Sequence, residues 1–331
     1  MKTIIITLPL CLLIICGFSG CSKAKKSGAI SAVPTKPIIG TEATNDPVAI
    51  RVKWIVGKKY LFQLEAVQGL DVTMPQPLDP TKTVMGLNHD YSVSVAKRST
   101  NGGQELDLEM TAQKFFYQTA ERSWFNFDSM ESSAHDASSP VAPLLRKLMG
   151  ARIRCFTDAD GAVVKSEGLD ALTASLDKGD PQMKAAIQSM FNETNLKKLF
   201  DAIVAVQPAE PMKIGESWPV HLELEVPGAP GIVMNARCQF ADWDTQEGRE
   251  CVRIEFKGDI TAKPGASGEA SLAKISGGTM AGQAWFDPAL GMVINSSSEE
   301  HLTLQASALG QTVSTRVNAT SNLRLLSVED N

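Results

Sequence analysis

The sequence predicts a β-rich α+β protein, in which two antiparallel β halves form a curved sheet, half-barrel or sandwich with a helical insert packed against it. Three observations carry that expectation. Polar and apolar residues alternate over at least six segments, at 59–65, 91–96, 105–110, 251–256, 301–305 and 313–317, which is the period of a strand with one wet face. Glycine turns punctuate them at Asn101-Gly102-Gly103, Asp160-Gly161, Glu247-Gly248 and Leu290-Gly291, where the chain needs residues that tolerate positive φ. Between 168 and 207 the period changes to that of helices. With 331 residues, 43% hydrophobic, 21% charged and 6% aromatic, the chain can bury a large core and is no multi-span membrane protein. A net charge of −5 without a basic stripe argues against nucleic acid as a partner.

The first segment reads as an address. An apolar run from Ile4 to Phe18, broken by Thr7, Pro9 and Gly17, is short for a bilayer span and has the length of a signal-peptide apolar region. It ends Phe18-Ser19-Gly20-Cys21-Ser22. This resembles the lipobox of bacterial lipoproteins, which implies cleavage after residue 20, lipidation of Cys21 and anchoring outside the cytoplasm. Phe18 stands where that family usually has an aliphatic residue. Ser22 in place of Asp implies the outer membrane, facing the periplasm, rather than the inner one. Several acyl chains, each worth about 0.8 kcal/mol per buried methylene, make such an anchor effectively permanent. Residues 21–47 then form a tether rich in Ser, Ala, Lys, Thr, Pro and Gly, with a typical span of roughly 25–30 Å. Lys23, Lys25 and Lys26 either lie on anionic headgroups or are plain solvated linker residues.

The body is expected over 48–328, with halves at 48–167 and 208–328 around an insert at 168–207. A short helix is expected from Ser139-Pro140 to Gly150, carrying Leu144, Leu145 and Leu148. In the insert, Leu169, Leu172 and Leu176 share a face. Asp180-Pro181 then opens a helix with Met183, Ile187, Met190 and Phe191 on one stripe, and Leu196, Leu199, Phe200, Ile203 and Val204 form another before Pro208. These stripes either cover the open face of the sheet or, as a lid, close over a ligand cavity; in the second case Met183, Ile187, Met190, Leu199 and Phe200 are the candidate ligand-binding residues.

A diffuse repeat frames the insert. Gly57-x-x-Tyr60 before an alternating strand matches Gly215-x-x-Trp218, and Phe156-Thr-Asp-Ala-Asp-Gly161 parallels Phe286-Asp-Pro-Ala-Leu-Gly291. Each glycine allows a tight turn into a strand whose end the ring plugs. The order of Phe127-Asp128-Ser129, Asp160-Gly161-Ala-Val163, Lys213-Ile-Gly-Glu-Ser-Trp218 and Gly282-x-x-x-Phe286-Asp287 resembles a group of bacterial lipoproteins known only as a domain of unknown function, over about 50–326. That resemblance implies no catalytic residue. More distantly the layout is similar to lipoprotein-localisation-type carriers, which implies a curved sheet with helices across an apolar cavity.

Six cysteines include Cys11 and Cys16 in the leader. Besides Cys21, the mature chain holds Cys155, Cys238 and Cys251. Cys238 and Cys251 flank an expected hairpin and form a candidate cross-strand disulfide if they face one another; otherwise they are two small buried apolar residues. No P-loop, nucleophile elbow or His-Glu-x-x-His stands in the chain. Ser271-x-x-Lys274 lacks the companions of a serine acyltransferase site, and Asp158-Ala-Asp160-Gly161 lacks the remaining ligands of a calcium loop. The four histidines are His89, His135, His221 and His301. His221 with Glu223 and His301 with Glu299 could build a metal cluster only if their strands adjoin. The pairs Asp242/Asp244 and Glu299/Glu300 read as surface carboxylates. No cofactor, metal or enzymatic activity is expected. The expected role is a membrane-anchored protein that binds a lipid or other lipophilic small molecule, with a non-catalytic envelope scaffold for protein partners as the alternative.

Overall fold

The structure is a computed structural model. It describes residues 46–331 except 74–80, 99–101, 120–122, 139–141, 160, 175–192, 194–196, 198–202, 204–205, 225–230, 265–272 and 309–310. Twelve strands form one antiparallel sheet: β1 (Lys58–Thr73), β2 (Thr81–Arg98), β3 (Gln104–Thr119), β4 (Ser123–Asp128), β5 (Arg152–Thr157), β6 (Val163–Glu167), β7 (Ser217–Leu224), β8 (Ile232–Gln246), β9 (Arg249–Ala262), β10 (Ala273–Asp287), β11 (Met292–Ala308) and β12 (Gln311–Asp330). Among the described residues, two short helices with defined bounds, α1 (Ala142–Leu148) and α2 (Leu169–Ala174), accompany them, and Glu193, Lys197 and Ile203 are also helical.

Across the sheet the order is β6-β5-β3-β2-β1-β12-β11-β10-β9-β8-β7. The sheet is open, with β6 and β7 at its edges, so of the expected architectures the single curved sheet is the one formed. β4 shares the outer edge of β3 with β5, pairing at 114–118 while β5 pairs at 105–109. The order also explains the sequence repeat. Strands β1, β2, β3, β5 and β6 step outward in chain order, and β7 to β11 step inward, so the halves lie head to tail along one sheet. β12 fills the gap between them, hydrogen-bonded to β1 on one side and β11 on the other.

The repeated motifs take equivalent conformations. Gly57 and Gly215 enter β1 and β7 with φ of 81° and 86°, and Gly161 and Gly291 turn into β6 and β11 with φ of 93° and 69°. Tyr60 is fully buried and Trp218 nearly so. Tyr60 accepts the Ile55 N–H at 3.0 Å and meets the Trp54 ring edge-on at 5.3 Å. Trp218 Nε1 donates to the Val206 carbonyl at 2.9 Å. Each ring thus closes one end of its half and ties down the chain that leads to it.

Alternation in β1 puts Tyr60, Phe62, Leu64, Ala66, Gln68 and Leu70 on the buried face. The first core gathers Tyr60, Phe62, Val93, Leu106 and Ile153, with Leu145 and Leu148 of α1, Leu169 of α2 and Ile203 against it. The second gathers Trp218, Met234, Phe240, Ile254, Phe256 and Phe286. A strap at 48–54 joins the halves: Val48 bridges to Met212, Ile50 enters the second core, Lys53 N–H donates to Gly291 O at 2.7 Å, and Trp54 packs at the first core.

Candidate functional site

The candidate lid residues Met183, Ile187, Met190, Leu199 and Phe200, and the candidate lipidation site Cys21, lie outside the described residues. Cys238 and Cys251 are both buried, and both are free thiols. The hairpin register corrects the expected pairing: Cys238 faces Phe256 and Cys251 faces Asp244. They sit in different cores, so no cross-strand bond can form. The strands that carry the two histidines do not adjoin. His221 lies on β7 and His301 on β11, with β8, β9 and β10 between them. His221 contacts Asn235 at 2.7 Å and Glu223 at 3.6 Å, while His301 contacts Asn318 at 2.8 Å. Among the described residues no three His, Cys, Asp or Glu side chains come together as a metal would require.

The structure also assembles a polar band within the buried face, and it includes Glu300, expected at the surface with Glu299. Three pairing rows cross the middle of the sheet without a register shift. One runs Gln113-His89-Leu64-Leu323-Ser296-Ala284. The next runs Leu87-Ala66-Ser321-Ser298-Gly282-Phe256. The third runs Met85-Gln68-Ala319-Glu300-Met280. All these side chains share one face, because residues directly opposite in a ladder point the same way. The second and third rows end in large apolar residues, Leu87 and Phe256, and Met85 and Met280, and between these stand the small Ala66, Ser321, Ser298, Gly282 and Ala319 beside Gln68 and Glu300. Phe256 lies across Gly282, where an added Cβ would come within 2.4 Å of the ring.

Glu300 is only 4% exposed, although Glu299 and Glu300 together suggest a surface pair. Ser298 Oγ donates to Glu300 Oε1 at 3.1 Å and lies 3.3 Å from Ser321 Oγ. Gln68 and Glu300 flank Ala319 from either side. Gln68 and Gln113 are buried, and their Oε1 atoms have no hydrogen-bond partner; buried His89 Nδ1 has none either. Such orphans are rare in filled protein interiors, where buried polar atoms find a partner or a water.

Burial governs the electrostatics of this band. Removal from water pushes the Glu300 carboxyl up to about 8, against a smaller opposing effect of the Ser298 hydrogen bond, so the acid is neutral at pH 7. Burial likewise pushes His89 down to about 4, leaving a neutral imidazole. A serine bonded to a protonated acid is not activated as a nucleophile, which needs a base within reach. Burial also pushes Cys155, Cys238 and Cys251 up to about 12, far from the thiolate that reacts. The arrangement suits holding an uncharged group.

The opposite face of the same strands is polar and carries an open groove of about 700 Å³. Glu65, Thr320, Glu299, Gln283, Lys257 and Arg237 line it from six successive strands, so the sheet curves around this side. Arg237 and Lys257 stand directly opposite one another.

The family description "Family of unknown function (DUF6263)" matches residues 103–293, more than half of the chain. The chain belongs to this family. No curated protein matches it. Among solved structures, this DUF6263 protein is similar to lipovitellin, described for its lipid–protein interactions, at 11% identity and a TM-score of 0.43, over 84% of this chain and 26% of that one. It therefore spans about a quarter of the lipovitellin chain. A putative exported protein with a YmcC-like fold from Bacteroides fragilis is similar at 9% identity and a TM-score of 0.24, over 85% and 99% of the two chains. A putative outer membrane lipoprotein-sorting protein domain from Vibrio parahaemolyticus follows at 10% identity and a TM-score of 0.13, over 80% and 86%. At these scores the likenesses carry no functional inference.

The signal that locates Glu300 is present in the family member's own sequence. Leu302 and Leu304 begin an alternation that, run backwards, puts Glu300, Ser298 and Ser296 on the apolar face and Glu299 and His301 on the wet one.

Proposed function

We propose that the protein is a lipoprotein anchored through Cys21 outside the cytoplasm, at the periplasmic face of the outer membrane, and that it holds a hydrophobic ligand against the apolar side of its sheet without catalysing a reaction. One observation carries the binding role: unpartnered polar atoms of Gln68, Gln113 and His89 share a buried face with the neutral Glu300. A closed core leaves such groups unpaired at a cost of about 1–3 kcal/mol each. A bound amphiphile removes that cost while burying its tail, at roughly 25 cal/mol per Å² of apolar surface. The lipobox resemblance and Ser22 support the location.

The test is organic extraction of full-length protein isolated under mild conditions, with lipid analysis of the extract and native mass spectrometry of the intact chain. Acyl chains on Cys21 are covalent and stay with the protein, so an extracted species is ligand. About one lipophile per chain is expected. A uniformly empty protein overturns the binding role, and leaves the solid-core scaffold, which the polar groove over β7 to β12 and β1 favours. Membrane partition and palmitate labelling of Cys21→Ser test the anchor: both are expected to fall sharply, and unchanged values overturn it.

A further inference from the structure

Resting on the ligand-binding reading above, we propose that Glu300, Ser298 and Gln68 seat the head of an uncharged amphiphile bearing hydroxyl or amide hydrogens, of the acylglycerol or N-acyl type, in preference to a fatty-acid anion or a phospholipid. Three features of the face point there. The first is shape. In the two rows that hold Gln68, Ser298 and Glu300, the small Ala66, Ala319, Ser298 and Ser321 stand between Met85 and Leu87 on one side and Met280 and Phe256 on the other, with Phe256 across Gly282.

The second is hydrogen-bond demand. Gln68 Oε1 is a buried acceptor with no donor, on a side chain 3% exposed. Only Ala319 separates it from Glu300 across the ladder. A head that donates to Gln68 and exchanges a hydrogen bond with the Glu300 carboxyl satisfies both. A carboxylate brings acceptors alone and leaves Gln68 unpaired; a lysophosphatidate keeps a glycerol hydroxyl that can donate, so against it the face discriminates by charge.

The third is charge. On this face no lysine or arginine stands at positions 64–70 of β1, 83–89 of β2, 254–260 of β9, 278–284 of β10, 296–304 of β11 or 315–323 of β12. At these strand positions an anionic head meets no counter-charge, and an unpaired buried charge is strongly disfavoured. The titratable groups at the same positions are Glu300 itself and His89, which burial holds neutral.

The experiment compares monooleoylglycerol, oleate and oleoyl-lysophosphatidate, which share one tail, with octadecane as a headless control. Full-length protein is held in a fixed low concentration of a non-ionic detergent at pH 7, and each variant is read as a ratio to wild type so that partition into micelles cancels. Monooleoylglycerol is expected to bind at least tenfold more tightly than the two anions. Glu300→Leu is expected to lose about tenfold for monooleoylglycerol and to change octadecane binding less than twofold, while Glu300→Gln, which keeps a neutral hydrogen-bonding head, stays within about threefold of wild type. Equal binding of all three oleoyl probes, or no loss in Glu300→Leu, overturns the head-group inference and leaves the apolar site standing. If octadecane and every oleoyl probe fail to bind wild type, the binding reading itself has failed.

Discussion

Gly57 and Gly215, 158 positions apart, adopt the same left-handed backbone, with φ of 81° and 86°, three residues before the buried rings of Tyr60 and Trp218. No atom lies within 4 Å of the Cβ that either glycine lacks. Substitution there therefore tests backbone strain alone. For an L-residue the left-handed region costs roughly 1–2 kcal/mol. Gly57→Ala and Gly215→Ala are each expected to lower unfolding free energy by about that amount, at unchanged denaturant slope, in urea melts. A cost near zero at either site would mean that the turn relaxes to negative φ, and would remove the reason for the repeat's glycine.

How much of this was legible in the sequence depends on what each residue's neighbours are. Alternation in 59–65 and 251–256 sufficed to place β1 and β9, because period two needs only local information. The pairing of Gly57 with Gly215 and of Gly161 with Gly291 was readable for the same reason. The position of β12 was not: that Leu64 opposes Leu323, and Ser321 opposes Ser298, is set by pairing between segments more than 200 residues apart or across a long hairpin. The buried band failed for a different reason. Glu299 and Glu300 differ in burial only through the phase of the strand, and residue type pointed to water for both.

The buried thiols give a second prediction. Cys155, Cys238 and Cys251 are at most 1% exposed, and burial is the main cause that pushes each up to about 12. At pH 8 the native protein is expected to react with a thiol-specific reagent at least ~1,000-fold more slowly than a free thiol, since both access and thiolate fraction are lost. In denaturant without reductant, Cys155, Cys238 and Cys251 should all three titrate as thiols, identified by mapping the labelled peptides. One thiol instead of three would show a disulfide, and the β8–β9 register would be wrong.

Asp287 provides a third. Its side chain is 4% exposed. Oδ1 accepts the Ala289 and Leu290 N–H groups at 2.8 and 2.9 Å, and Oδ2 accepts Arg249 Nη1 at 3.0 Å. This fixes the β10–β11 turn that presents Gly291 to Lys53. Hydrogen bonds to a charged acceptor are worth about 1.5–3 kcal/mol, and the two amides would be orphaned together. Asp287→Ala is expected to cost ~2–4 kcal/mol in chemical denaturation and to speed amide exchange at Ala289, Leu290 and Gly291. Arg249→Ala, which removes a side chain that is itself 41% exposed and leaves both amide bonds to Asp287 in place, should cost less. Equal costs would place the stabilisation in the ion pair rather than in the turn.

The last prediction joins Glu300 with His89. Burial raises the Glu300 acid from 4.5 to about 8. The folded state then holds a proton that the unfolded state releases, so stability falls as pH rises from about 4.5 to about 8 and is level above that. Burial lowers His89 from 6.5 to about 4. Here the unfolded state takes the proton first, so stability falls as pH drops from about 6.5 to about 4. Between about 4.5 and 6.5 the two slopes are opposite, each worth roughly 1.4 kcal/mol per pH unit, and they cancel. From these two groups wild type should show a stability plateau over that interval, a decline toward pH 8 and a shorter decline of about the same slope from pH 4.5 down to about 4. Glu300→Gln should abolish the alkaline decline and leave stability rising up to about pH 6.5. His89→Phe should remove the plateau, so that stability falls from pH 4.5 upward. Urea midpoints at half-unit steps, read as differences from wild type, isolate these slopes from the other carboxylates. An alkaline decline that survives in Glu300→Gln would mean that Glu300 is ionised in the folded protein, and an ionised group could not serve as a neutral seat.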